Sequence, residues 1–293
     1  MRYLIPLLFA AIAAAQGQDP PFHLPDSVEK KENLVYATYG GRQMHLDLFL
    51  PKTGKTPYPV VVYIHGGGWK GGNKSAFARQ AAHMAAKGVA GACIEYRLSG
   101  EATWPAAIYD SKAAVRWVRA NAAKYNLDPE KIGAAGGSAG GHLVALLGTA
   151  NQKELEGSGG NPGVSSRVIA VAAFNPAVDL VSFGKRAPNN ATNSVTEFLG
   201  KPYSADPSLW ELATPLTHIS KRSASFLLLH GNADTTVPYQ QSLDMQTKLK
   251  AAGVKVELFT AEGAAHGFFN RPPWFEPTLQ KMEAFFLSAF SKQ

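Results

Sequence analysis

The chain has 293 residues, 45% hydrophobic and 17% charged, with a formal charge of +7 and one cysteine. That composition excludes a disordered chain and suits one large α/β domain or two small ones. A lone cysteine excludes an intrachain disulfide, and basic runs no longer than two residues argue against a nucleic-acid partner. Met1-Arg2 precedes an apolar run from Tyr3 to Ala15, broken only by Pro6. This reads as a signal peptide over 1–15, cleaved after Ala15 or Gly17, so the protein is expected to be exported, periplasmic or secreted. The run is too short for a membrane span and no later apolar segment reaches about 18 residues, so no stable span is expected after leader removal.

Residues 16–32 are polar and proline-containing, and read as an N-terminal tail before a domain over 33–293. Leu34 to Tyr39 and Gln43 to Leu50 flank Gly40-Gly41, which predicts an antiparallel hairpin. Val60 to Ile64 is a continuous apolar run, typical of a parallel strand buried on both faces. Strands and helices then alternate. Ser75 to Lys87 is read as helix and Val89 to Glu95 as strand, with Cys93 a small core residue. Ala106 to Tyr125 is read as one helix, stopped by Asn126-Leu127-Asp128-Pro129. A strand over Lys131 to Ala135 and a helix from Gly141 to Leu147 follow, then a strand over Val168 to Phe174. Residues 175–222 carry five prolines without clear periodicity and read as an insertion of short helices and loops. Ser225 to Leu229 and Val254 to Thr260 are strands, Tyr239 to Ala252 and Trp274 to Phe290 helices. This order implies an α/β fold: a mostly parallel eight-stranded sheet with right-handed crossovers and helices on both faces.

Chemistry concentrates in the loops after the strands, where open α/β sheets build their sites. Gly136-Gly137-Ser138-Ala139-Gly140 joins a strand to a helix. A serine on so sharp a turn takes a strained backbone, and side chains two residues away on either side would collide. Gly136 and Gly140 meet that demand, leaving Ser138 exposed above the sheet as a nucleophile. His65-Gly66-Gly67-Gly68-Trp69 follows the Val60 to Ile64 strand, and its glycines free backbone N–H groups to act with that of Ala139 on a developing oxyanion. The same stretch matches a dinucleotide pattern, G-x-G-x-x-G, but lacks a well-placed acid about 20 residues on. A phosphate loop would need Gly-Lys-Ser where Asn73-Lys74-Ser75 stands. Asp234 and His266 sit in the loops after the last two strands. Asp234 is read either as the acid that orients a histidine or as a turn residue, with Asp179 its nearest rival. His65 is read as orienting the glycine loop, His230 as structural and His142 as packed.

The order Ser138, Asp234, His266 is that of the α/β-hydrolases. Through His65-Gly66-Gly67-Gly68-Trp69, Gly136-Gly137-Ser138-Ala139-Gly140-Gly141-His142, Asp234-Thr235-Thr236-Val237-Pro238 and Ala265-His266-Gly267, the chain resembles α/β-hydrolases of the hormone-sensitive-lipase type. Tyr96-Arg97-Leu98 and the stretch from Trp104-Pro105 to Asp110 are similar as well, and the likeness covers about residues 33–290. Gly137 stands where many members carry an acid, which makes the chain similar to the bacterial feruloyl and acetyl xylan esterases. The resemblance implies a serine carboxylic-ester hydrolase with no metal or organic cofactor. It implies Ser138, His266 and Asp234 as the triad and Gly67, Gly68 and Ala139 as the oxyanion hole. The 48 residues of the 175–222 insertion can shade the site but hardly enclose a long chain, so the expected substrate carries a short or compact aromatic acyl group, on a small or carbohydrate-linked alcohol such as a plant polysaccharide. An amide-cleaving hydrolase, such as an arylformamidase or small peptidase, and a silent hydrolase-fold binding module are the alternatives.

Overall fold

A computed structural model describes residues 22–186 and 193–291. Its eight strands are β1 (Val28–Tyr39), β2 (Arg42–Pro51), β3 (Tyr58–Ile64), β4 (Ala90–Ile94), β5 (Leu127–Gly137), β6 (Ala170–Phe174), β7 (Ser225–Gly231) and β8 (Val256–Ala261). They form one sheet in the order β1-β2-β4-β3-β5-β6-β7-β8. The β1/β2 and β2/β4 pairs are antiparallel and the other five are parallel. This is the α/β-hydrolase fold expected from the element order. The helices are α1 (Ala78–Ala86), α2 (Ala106–Ala120), α3 (Ala122–Tyr125), α4 (Ala139–Thr149), α5 (Leu180–Arg186), α6 (Ser194–Leu199), α7 (Pro207–Leu212), α8 (Gln240–Ala251) and α9 (Phe275–Phe290).

Alternation along β3 divides the core into two layers. Val60, Val62 and Ile64 join the layer under α2, α4 and α8, while Val61 and Tyr63 join the layer under α1 and α9. All five are at most 1% exposed, as a strand covered on both sides requires. Cys93 is buried in the second layer, and burial pushes its thiol far above the ordinary range, so it is a core residue.

Several boundaries differ from the sequence reading. The first strand starts at Val28, within the stretch read as tail over 16–32, and Val28 is 2% exposed. Glu29, Lys30, Lys31 and Glu32 make this stretch polar in sequence, and pairing with Leu50 to Leu48 of β2 is what orders it. The signal peptide expected over 1–15 lies outside the described residues. The helix expected over Ala106 to Tyr125 breaks at Asn121, whose side chain donates to Trp117 O. Such local side-chain bonds compete with helix propagation. Asn126 then takes a left-handed φ of 54° and turns the chain directly into β5. Between β6 and β7 the described residues form α5, α6, α7 and connecting turns. Phe198 and Trp210 from this segment are buried in the first layer.

Candidate active site

Ser138 sits between β5 and α4 with φ 57° and ψ −119°, a strained conformation for a residue with a side chain. Its N–H donates to Phe174 O at 2.9 Å and its carbonyl accepts from His142 N at 2.9 Å, so the strain is locked at both ends. A methyl group at Gly136 would lie 2.6 Å from Gly140 O, and one at Gly140 would strike the carbonyl of Ile64. Only glycine fits at either position.

The two remaining predicted side chains meet this serine. His266 Nε2 is 2.9 Å from Ser138 Oγ, and His266 Nδ1 is 2.7 Å from Asp234 Oδ2. The carboxylate accepts from Nδ1–H, which leaves the Nε2 lone pair facing the serine hydroxyl. Asp234 also fulfils its alternative reading as a turn residue. Its Oδ1 accepts from Thr236 N at 2.8 Å and Val237 N at 2.9 Å. Asp179, the rival acid, instead caps α5 by accepting from Ser182 N at 3.0 Å.

The glycine loop lies across the elbow. Gly67, Gly68 and Trp69 have φ of 112°, 61° and 59°. Gly67 O accepts from Lys70 and Gly71 N–H groups, which closes the turn. Among the described residues nothing accepts from the N–H groups of Gly67, Gly68 or Ala139. The left-handed Trp69 is held by its side chain. Its Nε1 donates to His142 Nδ1 at 3.2 Å and its ring stacks on Phe198 at 4.6 Å. His65 Nδ1 donates to Gly66 O at 2.8 Å, and its ring stacks on Tyr96 at 4.4 Å, in keeping with a loop-orienting role. A cavity of about 750 Å³ opens over Ser138, walled mainly by Trp69, Phe77, Phe183, Val195, Val237 and Phe269.

A BD-FAE family model matches residues 46–249 of the sequence. The chain belongs to the BD-FAE family. This BD-FAE chain is 32% identical over 244 residues to the esterase LipQ of Mycobacterium tuberculosis, covering 79% of itself and 55% of LipQ. It spans about half the length of curated relatives such as LipQ and LipC. Among solved structures it is similar to a truncated carbohydrate esterase from gut microbiota, with TM-score 0.78 and 32% identity over 90% of this chain and 97% of that one. It is also similar to propionate-bound esterase Est2 of Thermogutta terrifontis, with TM-score 0.75 and 30% identity over 90% and 94% of the two chains.

Electrostatics in the BD-FAE site centre on Asp234. Burial pushes its carboxyl up, but hydrogen bonds from His230, His266 and Val237 N–H outweigh that and hold it well below the usual carboxylate range. Two residues here escaped the sequence reading. Asn175 is fully buried with φ 35°, and its Nδ2 lies 3.4 Å from His266 Nε2. Among the described residues its Oδ1 is buried without a partner. His142, read only as packed, also donates from Nε2 to Ala213 O at 2.7 Å, tying α4 to the segment after α7. Neither contact has a local signal, because each joins residues more than 70 positions apart. Among the described residues no cluster of His, Cys, Asp or Glu is arranged to hold a metal, and no helix is long and apolar enough to cross a membrane.

Proposed function

We propose that the protein is a serine carboxylic-ester hydrolase. The observation that carries this is the unbroken path Ser138 Oγ, His266 Nε2, His266 Nδ1, Asp234 Oδ2, with links of 2.9 and 2.7 Å, opening into an apolar cavity. Ser138 attacks the ester carbonyl while His266 takes its proton. Asp234 fixes the imidazole tautomer and stabilises the imidazolium that forms. The carbonyl oxygen gains charge and turns toward the N–H groups of Gly67, Gly68 and Ala139, each worth roughly 3 kcal/mol in the transition state. His266 then returns the proton to the leaving alcohol, and water releases the acid from the acyl-serine by the same steps.

The substrate is an ester of a short or compact aromatic acid on a small or carbohydrate-linked alcohol. Support comes from the cavity, whose size falls in the range of ordinary small-molecule sites. The gut-microbiota neighbour is a carbohydrate esterase, and Est2 was solved with propionate. Ser138→Ala should lose about 10⁶ in kcat on p-nitrophenyl acetate, by the precedent of a comparable triad. A variant that keeps a tenth of the wild-type rate refutes Ser138 as nucleophile. On p-nitrophenyl esters from acetyl to palmitoyl, kcat/KM should peak at short chains. A maximum at octanoyl or longer refutes the short-acyl assignment.

A further inference from the structure

Behind Asp234 stands a second histidine that the reaction above does not use. His230 lies in β7, is fully buried, and fits between the 234–237 turn and α8. Its Nδ1 is 2.7 Å from Ser242 Oγ of α8. Its Nε2 is 3.0 Å from Val237 O and 3.3 Å from Asp234 Oδ2. A carbonyl and a carboxylate offer no hydrogen, so Nε2 must carry the proton. Nδ1 is then the acceptor, and the Ser242 hydroxyl donates to it. Among the described residues the only ring packed against it is Tyr239, edge-on at 5.7 Å.

The result is a closed circuit around the acid. Val237 N–H holds Oδ1 of Asp234, and His230 holds the carbonyl of the same Val237. The same Nε2–H also faces Oδ2, the oxygen that receives His266 Nδ1–H. We infer that His230 is a positioning residue: its Nε2–H, set by Ser242, braces the Asp234 turn and draws charge from Oδ2, tuning the His266–Asp234 bond. The structural part of this stands on the contacts alone. Its kinetic part rests on the ester-hydrolase reading.

Two substitutions separate tuning from packing. His230→Met removes the donor at similar volume, and His230→Gln keeps an amide N–H of comparable reach. Without the donor, Oδ2 keeps more negative charge and holds the proton of His266 Nδ1 more tightly. In the full-length protein without substrate, the downfield proton NMR signal of that bond should therefore move in His230→Met and stay near its wild-type position in His230→Gln. On p-nitrophenyl acetate, kcat of His230→Met should fall about tenfold, because losing the brace to Val237 O frees the Asp234 turn, and misplacing the carboxylate costs more than the added charge on Oδ2 returns. Its KM should stay within about twofold, because no substrate contact changes. The acid limb of kcat/KM should move up by about half a pH unit, since more charge on Oδ2 favours the imidazolium.

Ser242→Ala leaves the ring in place and weakens its polarisation, so it should shift the signal the same way by less. It decides the matter where His230→Met does not fold. A signal and acid limb that stay at wild-type values would make His230 a packing residue, whatever the loss in thermal stability. A wild-type protein that does not turn over esters refutes the hydrolase reading, and the NMR measurement then still judges His230.

Discussion

Asp234 carries two jobs on two oxygens. Oδ1 accepts the backbone N–H groups of its own turn, and Oδ2 accepts His266 Nδ1–H. The turn bonds hold the carboxylate in one orientation, and that orientation decides which ring nitrogen of His266 keeps its proton. Asp234→Asn should retain the turn, because the amide oxygen still accepts at Oδ1. The amide nitrogen would then face His266 Nδ1 and favour the wrong tautomer, costing about 10⁴ in kcat by the protease precedent. Asp179→Asn should leave the rate near wild type, since that side chain caps α5. Steady-state rates of the two variants check the assignment, and the opposite pattern would transfer the role to Asp179.

Two elements meet at Gly137. A methyl group there would lie 2.5 Å from Phe269 Cζ. Phe269 follows His266 by three residues and packs on Phe174 at 4.6 Å and Phe77 at 5.7 Å. The elbow and the histidine turn are thus registered through one aromatic ring in a full stack. Gly137 stands where many hormone-sensitive-lipase-type sequences carry an acid, and its missing side chain leaves the space that this ring fills. Gly137→Ala should push Phe269 and carry the His266 turn with it. A displacement of about 1 Å at a reacting pair costs on the order of 100-fold, so kcat should fall on that scale. Adding Phe269→Leu should recover part of the loss by making room. A double-mutant cycle on kcat measures the coupling, and strictly additive effects would show that the two positions act independently.

At the scale of the whole molecule, His142 ties three separated segments together. It lies in α4, accepts from Trp69 of the glycine loop and donates to Ala213 beyond α7. Burial pushes its pKa down from 6.5 to about 4. The folded protein therefore holds this ring neutral, while the unfolded chain takes up a proton as pH falls through 6.5. Stability is fully present above that value and is lost progressively between pH 6.5 and about 4. The loss from this residue is roughly 3 kcal/mol at most. Melting temperatures across that window should fall more steeply for the wild type than for His142→Asn, which has nothing to protonate there. Equal slopes would show that His142 does not contribute.

The sequence by itself determined the strand and helix order, because periodicity and glycine punctuation are local signals. It also identified Ser138, Asp234 and His266 as candidates, since each stands in a short loop after a strand and such loops share one sheet edge. Glycines with a steric duty, such as Gly136 and Gly140, were equally legible, because a tight turn dictates them from its own backbone. Tertiary structure decided what distant residues do to one another. Val28 to Lys31 became strand through pairing with β2, although Glu29, Lys30 and Lys31 are all charged. Asn175 came within 3.4 Å of His266 across 91 positions of sequence, and His230 came to lie behind Asp234 when β7 and α8 packed. Gly137 acquired its meaning only when Phe269 filled the space beside it. The physical division is between backbone geometry, which a few adjacent residues set, and close packing, which depends on every chain segment that reaches the same point.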